Sequence, residues 1–255
     1  MSNLIQAVHK TQEYFLMSLS KDIYEENGVT AFAPGIGDPN INFAMQTSKI
    51  EGDLDKIIQN VEKFYDGFHL SWGWMINPSR DQAALKAALE KRGYKLTGSY
   101  PVFTFSLKPP LPLDDIKKFD VKEVGKKELK DWILPQQDAF QATEADALNY
   151  LNMHEIALQK KANFRHFVAY NDGVPVSAGT LSLSAHGARI DDIGTEPDFQ
   201  RKGLGTALTL YAMRVAKELG YPWVCLEASD KGVLLYKSMG FKQIYQNEIY
   251  GRNEA

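Results

Sequence analysis

The chain has 255 residues, of which 44% are hydrophobic and 24% are charged, and this balance is typical of a globular protein with enough core for one large domain or two ordinary ones. The formal net charge of -3 disfavours nucleic acid as a general partner, because a surface that neutralises phosphates must be basic. A single cysteine, Cys225, excludes an internal disulfide framework and fits a reducing compartment.

The amino-terminal residues predict an amphipathic helix. Apolar side chains at Leu4, Val8, Phe15 and Leu19 share one helical face, and the polar residues between them exclude the apolar core of a signal peptide. No stretch approaches the roughly 18 apolar residues of a membrane-spanning helix. The sequence therefore predicts a cytoplasmic protein without a membrane partner.

The rest of the first half contains a strand–helix–strand pattern and then a break. The strands are predicted at 69–79 and 98–107, and the helix between them at 81–94. Consecutive prolines then interrupt all periodicity, because proline donates no backbone hydrogen bond and favours extended conformations. This pattern predicts two domains, 1–107 and 115–255, joined by a proline-rich linker at 108–114.

The second half predicts strands and helices in succession. An Asn-Asp-Gly turn at 171–173 predicts a hairpin, because both of its central positions tolerate positive φ. Pro135 is expected to break or kink the first helix. In chain order, the elements are a strand at 119–124, helices at 126–140 and 144–161, the hairpin at 164–184, a strand at 188–195, a helix at 206–220, a strand at 222–229, a short helix at 231–241 and a last strand at 242–251.

The two halves share one local pattern. Each contains a strand–helix–strand unit in which glycine and an aromatic residue follow the helix, at Gly93-Tyr94 and at Gly240-Phe241. This similarity predicts an internal duplication whose first copy lacks a glycine loop, and chance similarity of two such units is the alternative.

The stretch DFQRKGLGTAL, at 198–208, places Gly203 and Gly205 directly before a helix. A P-loop requires lysine after its second glycine, but Thr206 follows Gly205 here. A dinucleotide-binding fingerprint requires a third glycine where this chain has Leu208. Two interpretations remain: a loop whose backbone N–H groups and helix dipole bind an anion such as pyrophosphate, or an ordinary strand-to-helix turn.

The motifs around this loop resemble those of the GCN5-related N-acetyltransferase (GNAT) superfamily. The coenzyme A signature Q/R-x-x-G-x-G/A stands as Gln200, Gly203 and Gly205, the preceding strand end spans 193–197, and the closing L-Y-x-x-x-G-F helix spans 235–241. The resemblance covers roughly 119–250. It implies a mixed α/β GNAT-like fold, here as two tandem GNAT-like domains of which only the second keeps the coenzyme A loop.

The resemblance implies acetyl-CoA as cosubstrate. The backbone amides of the loop would hold its pyrophosphate, and the strand end before the loop would diverge from the strand at 222–229 and pair with the pantetheine arm. The expected cofactor-binding residues are Ile193, Gly194, Thr195, Gln200, Arg201, Lys202, Gly203, Leu204, Gly205 and Thr206.

The resemblance also implies two catalytic residues. Tyr236 stands where the family often keeps a tyrosine that protonates the departing thiolate, and a Leu-Glu pair similar to that of ribosomal-protein N-terminal acetyltransferases carries the role of general base to Glu227. A carboxylate with a raised pKa can accept the proton that the amine must lose. Asp191 and Asp192 on the neighbouring strand are the alternative candidates for this base and are also candidate substrate residues. Strand alternation predicts that only one of them faces the cleft.

These features predict an N-acetyltransferase that transfers an acetyl group to a primary amine of a small molecule or of a peptide or protein N-terminus. We expect a monomer or homodimer without a metal ion, because the five histidines show no metal-ligand spacing, and His154 and His166 are expected at surface or core positions. The alternative is a non-catalytic coenzyme A sensor or scaffold. The asparagine that many family members carry before the tyrosine is missing from SDKGVLLY, which favours this alternative, whereas the presence of both Tyr236 and Glu227 opposes it.

Overall fold

The computed structural model describes residues 3–36, 41–69, 71–77 and 82–252. Within these ranges the helices are α1 (Asn3–Leu19), α2 (Leu54–Asp66), α3 (Ala83–Lys91), α4 (Leu129–Phe140), α5 (Glu144–Gln159), α6 (Leu204–Glu218) and α7 (Asp230–Ser238). The strands are β1 (Asp22–Glu26), β2 (Val29–Ala33), β3 (Phe43–Gln46), β4 (Gly73–Ile76), β5 (Lys95–Ser106), β6 (Asp120–Val124), β7 (Phe164–Asn171), β8 (Val174–Leu183), β9 (Ala188–Thr195), β10 (Trp223–Glu227) and β11 (Lys242–Gly251). In this described part of the chain, no helix is long and apolar enough to cross a membrane.

The strands form one mixed sheet in which the two halves of the chain are interleaved. Its order is β1-β2-β3-β4-β11-β5-β10-β9-β8-β7-β6. The last strand of the chain, β11, lies between β4 and β5, and β5 lies between β11 and β10. Each half therefore places its final strand against a strand of the other half, so that β5 and β11 form a shared antiparallel pair.

The strand directions repeat on the two sides of this shared pair. On one side β11 pairs antiparallel with β4, which is parallel to β3, and on the other side β5 pairs antiparallel with β10, which is parallel to β9. Antiparallel strands then extend the sheet in both directions. The fold is thus a mixed α/β sheet with a tandem arrangement, as the sequence predicts.

Helices cover both faces of the sheet in the second half. Because side chains alternate along a strand, Phe167 and Val176 pack into the cluster that contains α6, whereas Val168 and Ala178 pack with α4 and α5. The first helix, α1, lies on the same face as α5, since Phe15 belongs to a cluster that includes residues of α5. This placement brings a helix of the first half next to the site in the second.

Two local predictions have different outcomes. The hairpin is confirmed: β7 and β8 pair antiparallel, and Asp172 and Gly173 between them have φ values of 50° and 80°. Of the two effects expected at Pro135, a break is wrong, because α4 runs without interruption from Leu129 to Phe140, and a kink stays a prediction. The buried Pro135 packs within the helix, and tertiary contacts offset the backbone hydrogen bond that it cannot donate.

The proline-rich segment after β5 is fixed against the second half. Leu107 N donates to Pro222 O at 2.9 Å, and Lys217 Nζ donates to Pro109 O at 2.6 Å. These contacts join the segment to the C-terminal end of α6.

Candidate active site

The loop between β9 and α6 presents backbone N–H groups. Gly203 is the N-cap of α6, with a φ of 94°, and no side chain caps the first turn in the described chain. The first N–H groups of a helix have no partner within the helix. Arg201 also has a positive φ, of 59°, and left-handed residues in such a loop let successive N–H groups converge on one ligand. The loop has the geometry and the polarity that an anion requires.

Neighbouring contacts hold this loop in place. The Gln200 amide donates from Nε2 to Thr195 O at 3.0 Å, so that this side chain braces the loop against the end of β9. Gly205 packs closely, because a Cβ there would lie 3.4 Å from Leu235 and 3.7 Å from Ile193. The exposed side chains of the loop include Arg201 and Lys202, which add positive charge at its rim.

The corresponding helix start in the first half is already capped. After β3, the chain enters α2 through Asp53, whose carboxylate accepts hydrogen bonds from the backbone N–H groups of Asp55 and Lys56. A side-chain carboxylate thus occupies the position that an external anion would take. Of the two helix starts that follow β3 and β9, the one after β9 has a glycine N-cap and a first turn without a side-chain cap.

Next to the loop, β9 and β10 diverge. They pair in parallel at Ala188–Val224 and at Arg189–Cys225, and the described ladder ends there, although β9 continues to Thr195. This is the divergence that the resemblance implies, and it leaves one edge of β9 available to a ligand next to the loop.

A β-bulge in β9 changes the direction of its acidic side chains. The register with β8 shifts between Ala178–Gly194 and Thr180–Asp191, and Asp192 has a φ of 58°. The alternation on which the expectation for Asp191 and Asp192 rests does not hold here, because the bulge places both carboxylates on the face covered by α1 and α5. Which of the two contacts a substrate stays a prediction.

Asp191 belongs to a buried charge cluster. Arg189 Nε lies 2.8 Å from Asp191 Oδ1, and the guanidinium also packs 5.4 Å from the centre of the Phe15 ring. Burial raises the pKa of Asp191, and the charge of Arg189 opposes this rise. Burial likewise raises the pKa of Glu227, opposed by the same Arg189. One cation, Arg189, thus interacts electrostatically with two carboxylates.

Two amide side chains contact the Glu227 carboxylate. Asn247 Nδ2 of β11 donates to Glu227 Oε2, and it also lies 3.3 Å from Gln12 Oε1 of α1. Hydrogen bonds from Asn247 and Gln12 both lower the pKa of Glu227 against the effect of burial. A group on β10 is therefore held by side chains from the last strand and from the first helix.

Asp192 contacts a separate buried cluster. Tyr150 OH donates to Asp192 Oδ1 at 2.8 Å, and His154 Nε2 lies 3.8 Å from Asp192 Oδ2. His154 Nδ1 in turn lies 2.9 Å from His166 Nε2. Burial, together with the charge of Asp191, raises the pKa of Asp192 to about 7. Both histidines are core residues, one of the two placements that the sequence left open.

Tyr236 lies on α7 with its ring buried and 8% of its surface exposed. The ring packs edge-on against Phe241, and a Cβ at Gly232 would come within 2.9 Å of it, so the glycine allows the ring this position. Burial raises the pKa of Tyr236, as does the charge of Asp191. The hydroxyl is therefore protonated at neutral pH, and among the described residues it has no hydrogen-bond partner.

Comparison with known proteins shows what this part of the chain is similar to. Residues 162–243 match the family model described as "Acetyltransferase (GNAT) domain", a range that contains the loop, both diverging strands and α7. We refer to this matched range, 162–243, as the GNAT domain. The domain starts just before β7 and ends at the beginning of β11, so that α1, α4, α5 and most of β11 lie outside the matched range.

The chain is also similar to curated relatives and to solved structures. A mycothiol acetyltransferase of Thermobifida fusca (strain YX) is 40% identical over 100 residues, which cover 34% of this chain and 31% of that protein. The match thus spans under a third of the relative. A GCN5-related N-acetyltransferase structure from Kribbella flavida has a TM-score of 0.70 at 15% identity and covers 98% of this chain and 96% of its own. A tandem GNAT protein from the clavulanic acid biosynthesis pathway has a TM-score of 0.62 at 13% identity and covers 87% of this chain and 77% of its own. These structural similarities extend the GNAT-like fold over both halves.

Sequence reasoning did not find several groups that surround the GNAT-domain carboxylates: Gln12, Asn247, Arg189, Tyr150 and the paired His154 and His166. No local motif marks them, because they come from α1, α5, β7, β9 and β11 and meet only in the folded sheet. An amide such as Gln12 within the amphipathic pattern of α1 is the one signal available, since it is a polar residue on a buried part of the helix.

Proposed function

We propose that this chain is an acetyl-CoA-dependent N-acetyltransferase that acetylates a primary amine. The observation that carries the proposal is the divergence of β9 and β10 directly beside an uncapped glycine-led helix start. The first feature supplies a backbone edge for an extended ligand arm, and the second supplies N–H groups for the phosphates at the end of that arm. The GNAT domain and the relative named mycothiol acetyltransferase support the same activity.

The residues of the loop fit acetyl-CoA. The N–H groups from Arg201 to Thr206 would hold the pyrophosphate, with Arg201 and Lys202 adding positive charge at the rim. Gln200 would fix the loop rather than contact the phosphate, because its amide already donates to Thr195 O. The edge of β9 from Ile193 to Thr195 would bind the pantetheine arm.

The chemistry requires a base and an acid on the two sides of the thioester. Glu227 would accept a proton from the incoming ammonium group, and its buried setting makes it a stronger base than an exposed carboxylate. The neutral amine attacks the carbonyl carbon of the thioester, a C–N bond forms, and the C–S bond breaks. Tyr236, which is protonated at neutral pH, would give its proton to the departing thiolate. The second proton, which the nitrogen loses as the amide forms, would restore the tyrosine hydroxyl.

The acceptor is proposed to be cationic before it reacts. The charges of Asp191 and Glu227 both act on Arg189, and Asp192 adds a third carboxyl group. Such a concentration of acidic groups favours a protonated amine over a neutral or anionic acceptor. Amines related to mycothiol belong in the first panel of acceptors because of the relative of that name.

The test is turnover of acetyl-CoA with a panel of amines, measured by thiol release. We expect release that depends on the amine, and we expect Glu227→Gln to lower kcat by about 10²–10⁴-fold, the usual range for general acid–base catalysis. Binding of acetyl-CoA without thiol release for any amine would instead identify a non-catalytic coenzyme A sensor or scaffold.

A further inference from the structure

The Glu227 carboxylate is held by two residues that lie outside the GNAT domain. Asn247 donates from Nδ2 to Glu227 Oε2, and the same nitrogen lies 3.3 Å from Gln12 Oε1. Asn247 is fully buried and Gln12 is 2% exposed. Both neighbours of Asn247 Nδ2 offer an oxygen that accepts, so the NH₂ end of the amide is fixed toward Glu227.

The shared strands explain why these residues meet. Glu227 of β10 pairs with Val102 of β5, and Val102 pairs with Tyr245 of β11, so the three side chains lie in a row on one face. Asn247 lies two residues beyond Tyr245 on the same face. Val8 of α1 packs on Val102 and Tyr245, which brings Gln12, one helical turn further on, over Asn247.

We propose that Gln12 and Asn247 are positioning residues for Glu227, so that α1 of the first half completes the active site of the second half. The inference rests on the proposed function, in which Glu227 is the general base. Neither amide touches the reacting atoms. Asn247 donates to the carboxylate, which orients it and stabilises its ionised form. Gln12 donates from Nε2 to Met75 Sδ at 3.0 Å, and its Oε1 accepts from Asn247 Nδ2 and so fixes that donor. The first half therefore has a catalytic contribution although its own helix start is capped by Asp53.

The other groups that face Glu227 define its electrostatic setting. They are Arg189 and Asp191 of β9, Cys225 of β10 and Tyr245 of β11, and the His9 ring of α1 packs on Tyr245 with centroids 4.9 Å apart. Among these groups Arg189 supplies the positive charge and Asp191 the negative charge. Both of these charges lie on β9. Removal of either amide, on α1 or on β11, therefore changes the basicity of Glu227 while the charges around Glu227 stay the same.

The experiment uses the full chain with Gln12→Met and Asn247→Leu, which remove the polar groups while keeping side-chain volume similar. In each variant we expect the acid limb of the kcat–pH profile to move upward by about one pH unit. Asn247→Leu removes the donor to the carboxylate and Gln12→Met removes the oxygen that fixes this donor, and a weaker hydrogen bond to the carboxylate raises its pKa. The KM for acetyl-CoA should stay within about twofold, since neither residue is near the loop. Gln12→Glu should move the limb further, because it adds a second carboxylate.

The matched control is Thr11→Val. Thr11 is a fully buried polar residue of the same helix, and its hydroxyl contacts Ala7 O and Ser184 Oγ instead of the carboxylate. It should leave the pH profile unchanged. Wild-type profiles in Gln12→Met and Asn247→Leu, in a protein that does transfer acetyl groups, would overturn the inference.

A second readout separates this inference from the proposed function. Carbon-13 NMR titration of the Glu227 carboxyl group, assigned by the signal lost in Glu227→Gln, reports its pKa without any turnover. A higher pKa in the folded Gln12→Met and Asn247→Leu variants supports the positioning role even if wild-type protein acetylates no amine. An unchanged pKa in both would overturn the role even if the enzyme is active.

Discussion

His154 Nδ1 lies 2.9 Å from His166 Nε2 in the buried space between α5 and β7, where the Trp132 ring packs 4.4 Å and 4.9 Å from the two imidazoles, measured between centroids. One nitrogen must donate and the other accept, which requires that at least one ring be neutral. Burial lowers the pKa of both histidines, in His166 to about 3.

This pair predicts a loss of stability in mild acid. A histidine takes up a proton near pH 6.5 in the unfolded chain, whereas the folded pair does so only at much lower pH, so the stability that the pair contributes is present above about pH 6.5 and is lost as the pH falls toward 3. Each histidine changes the free energy of unfolding by up to about 1.4 kcal/mol per pH unit in that window. Urea unfolding at several pH values should show that the free energy of unfolding changes less with pH in His166→Leu than in wild type. His186→Gln, at an exposed histidine outside the buried pair, is the control.

The adjacent residues Asp191 and Asp192 predict opposite effects of the same substitution. Asp191→Asn leaves the buried Arg189 without its carboxylate partner and should lower the free energy of unfolding by about 3 kcal/mol. The pKa of Asp192 in the folded protein is raised to about 7. The contribution of this group to the free energy of unfolding is therefore present below about pH 4 and is lost as the pH rises through 7. Asp192→Asn should therefore increase stability at pH 8, by about 1–3 kcal/mol, and have little effect at pH 4. Equal effects of the two substitutions at pH 8 would contradict this electrostatic account.

We expect substitution of Gly203 to abolish the binding of acetyl-CoA. An alanine at its φ of 94° is strained by about 1–2 kcal/mol, and relief of that strain would turn the N–H groups of the loop away from the phosphates. Acetyl-CoA at about a hundred times its Kd should stabilise wild-type protein by roughly 2.7 kcal/mol, and Gly203→Ala should abolish the corresponding shift in Tm.

Gly220→Ala is the matched control for this experiment. Gly220 follows the other end of α6 with a φ of 85°, and a Cβ there would meet no atom within 4 Å. Its substitution should lower the basal Tm by a similar amount and keep the full ligand-induced shift. A ligand-induced shift that survives in Gly203→Ala would show that the phosphates bind elsewhere.

Tyr236→Phe should lower kcat by about 10²–10⁴-fold and leave the affinity for acetyl-CoA unchanged, because the substitution removes only the hydroxyl that would protonate the thiolate. The buried ring keeps its contact with Phe241, so the Tm should not fall. Steady-state kinetics and the melting curve together test this prediction, with Tyr94→Phe of the first half as a control. A kcat within about threefold of wild type would assign Tyr236 to packing.

One acetyl-CoA site per chain is the expected stoichiometry. The first turn of α2 is capped by the Asp53 carboxylate, whereas the first turn of α6 follows Gly203 and has no side-chain cap. An anionic ligand would have to displace a charged side chain to bind the former. Isothermal titration calorimetry should give one site in wild type and none in Gly203→Ala. Two equivalent sites would show that the first half has kept a site of its own.

The sequence by itself was sufficient for the parts of this protein that depend on local chemistry. The Asp172-Gly173 turn, the glycine loop and the closing helix with Tyr236 lie within short stretches, where residue types determine backbone conformation directly. Local patterns also predicted the strands of the second half and the tandem arrangement. They did not predict β1, β2, β3 or α2.

Tertiary structure decided how the carboxylates are used. The bulge at Asp192 depends on pairing with β8, and it turns two neighbouring acids to one face in spite of strand alternation. The exchange of β5 and β11 depends on contacts between residues far apart in the chain, and it places Asn247 and Gln12 against Glu227. Periodicity reports which face of an element is apolar, but it carries no information about which distant element covers that face. For this reason the loop could be found from the sequence, whereas the surroundings of the proposed base required the folded sheet.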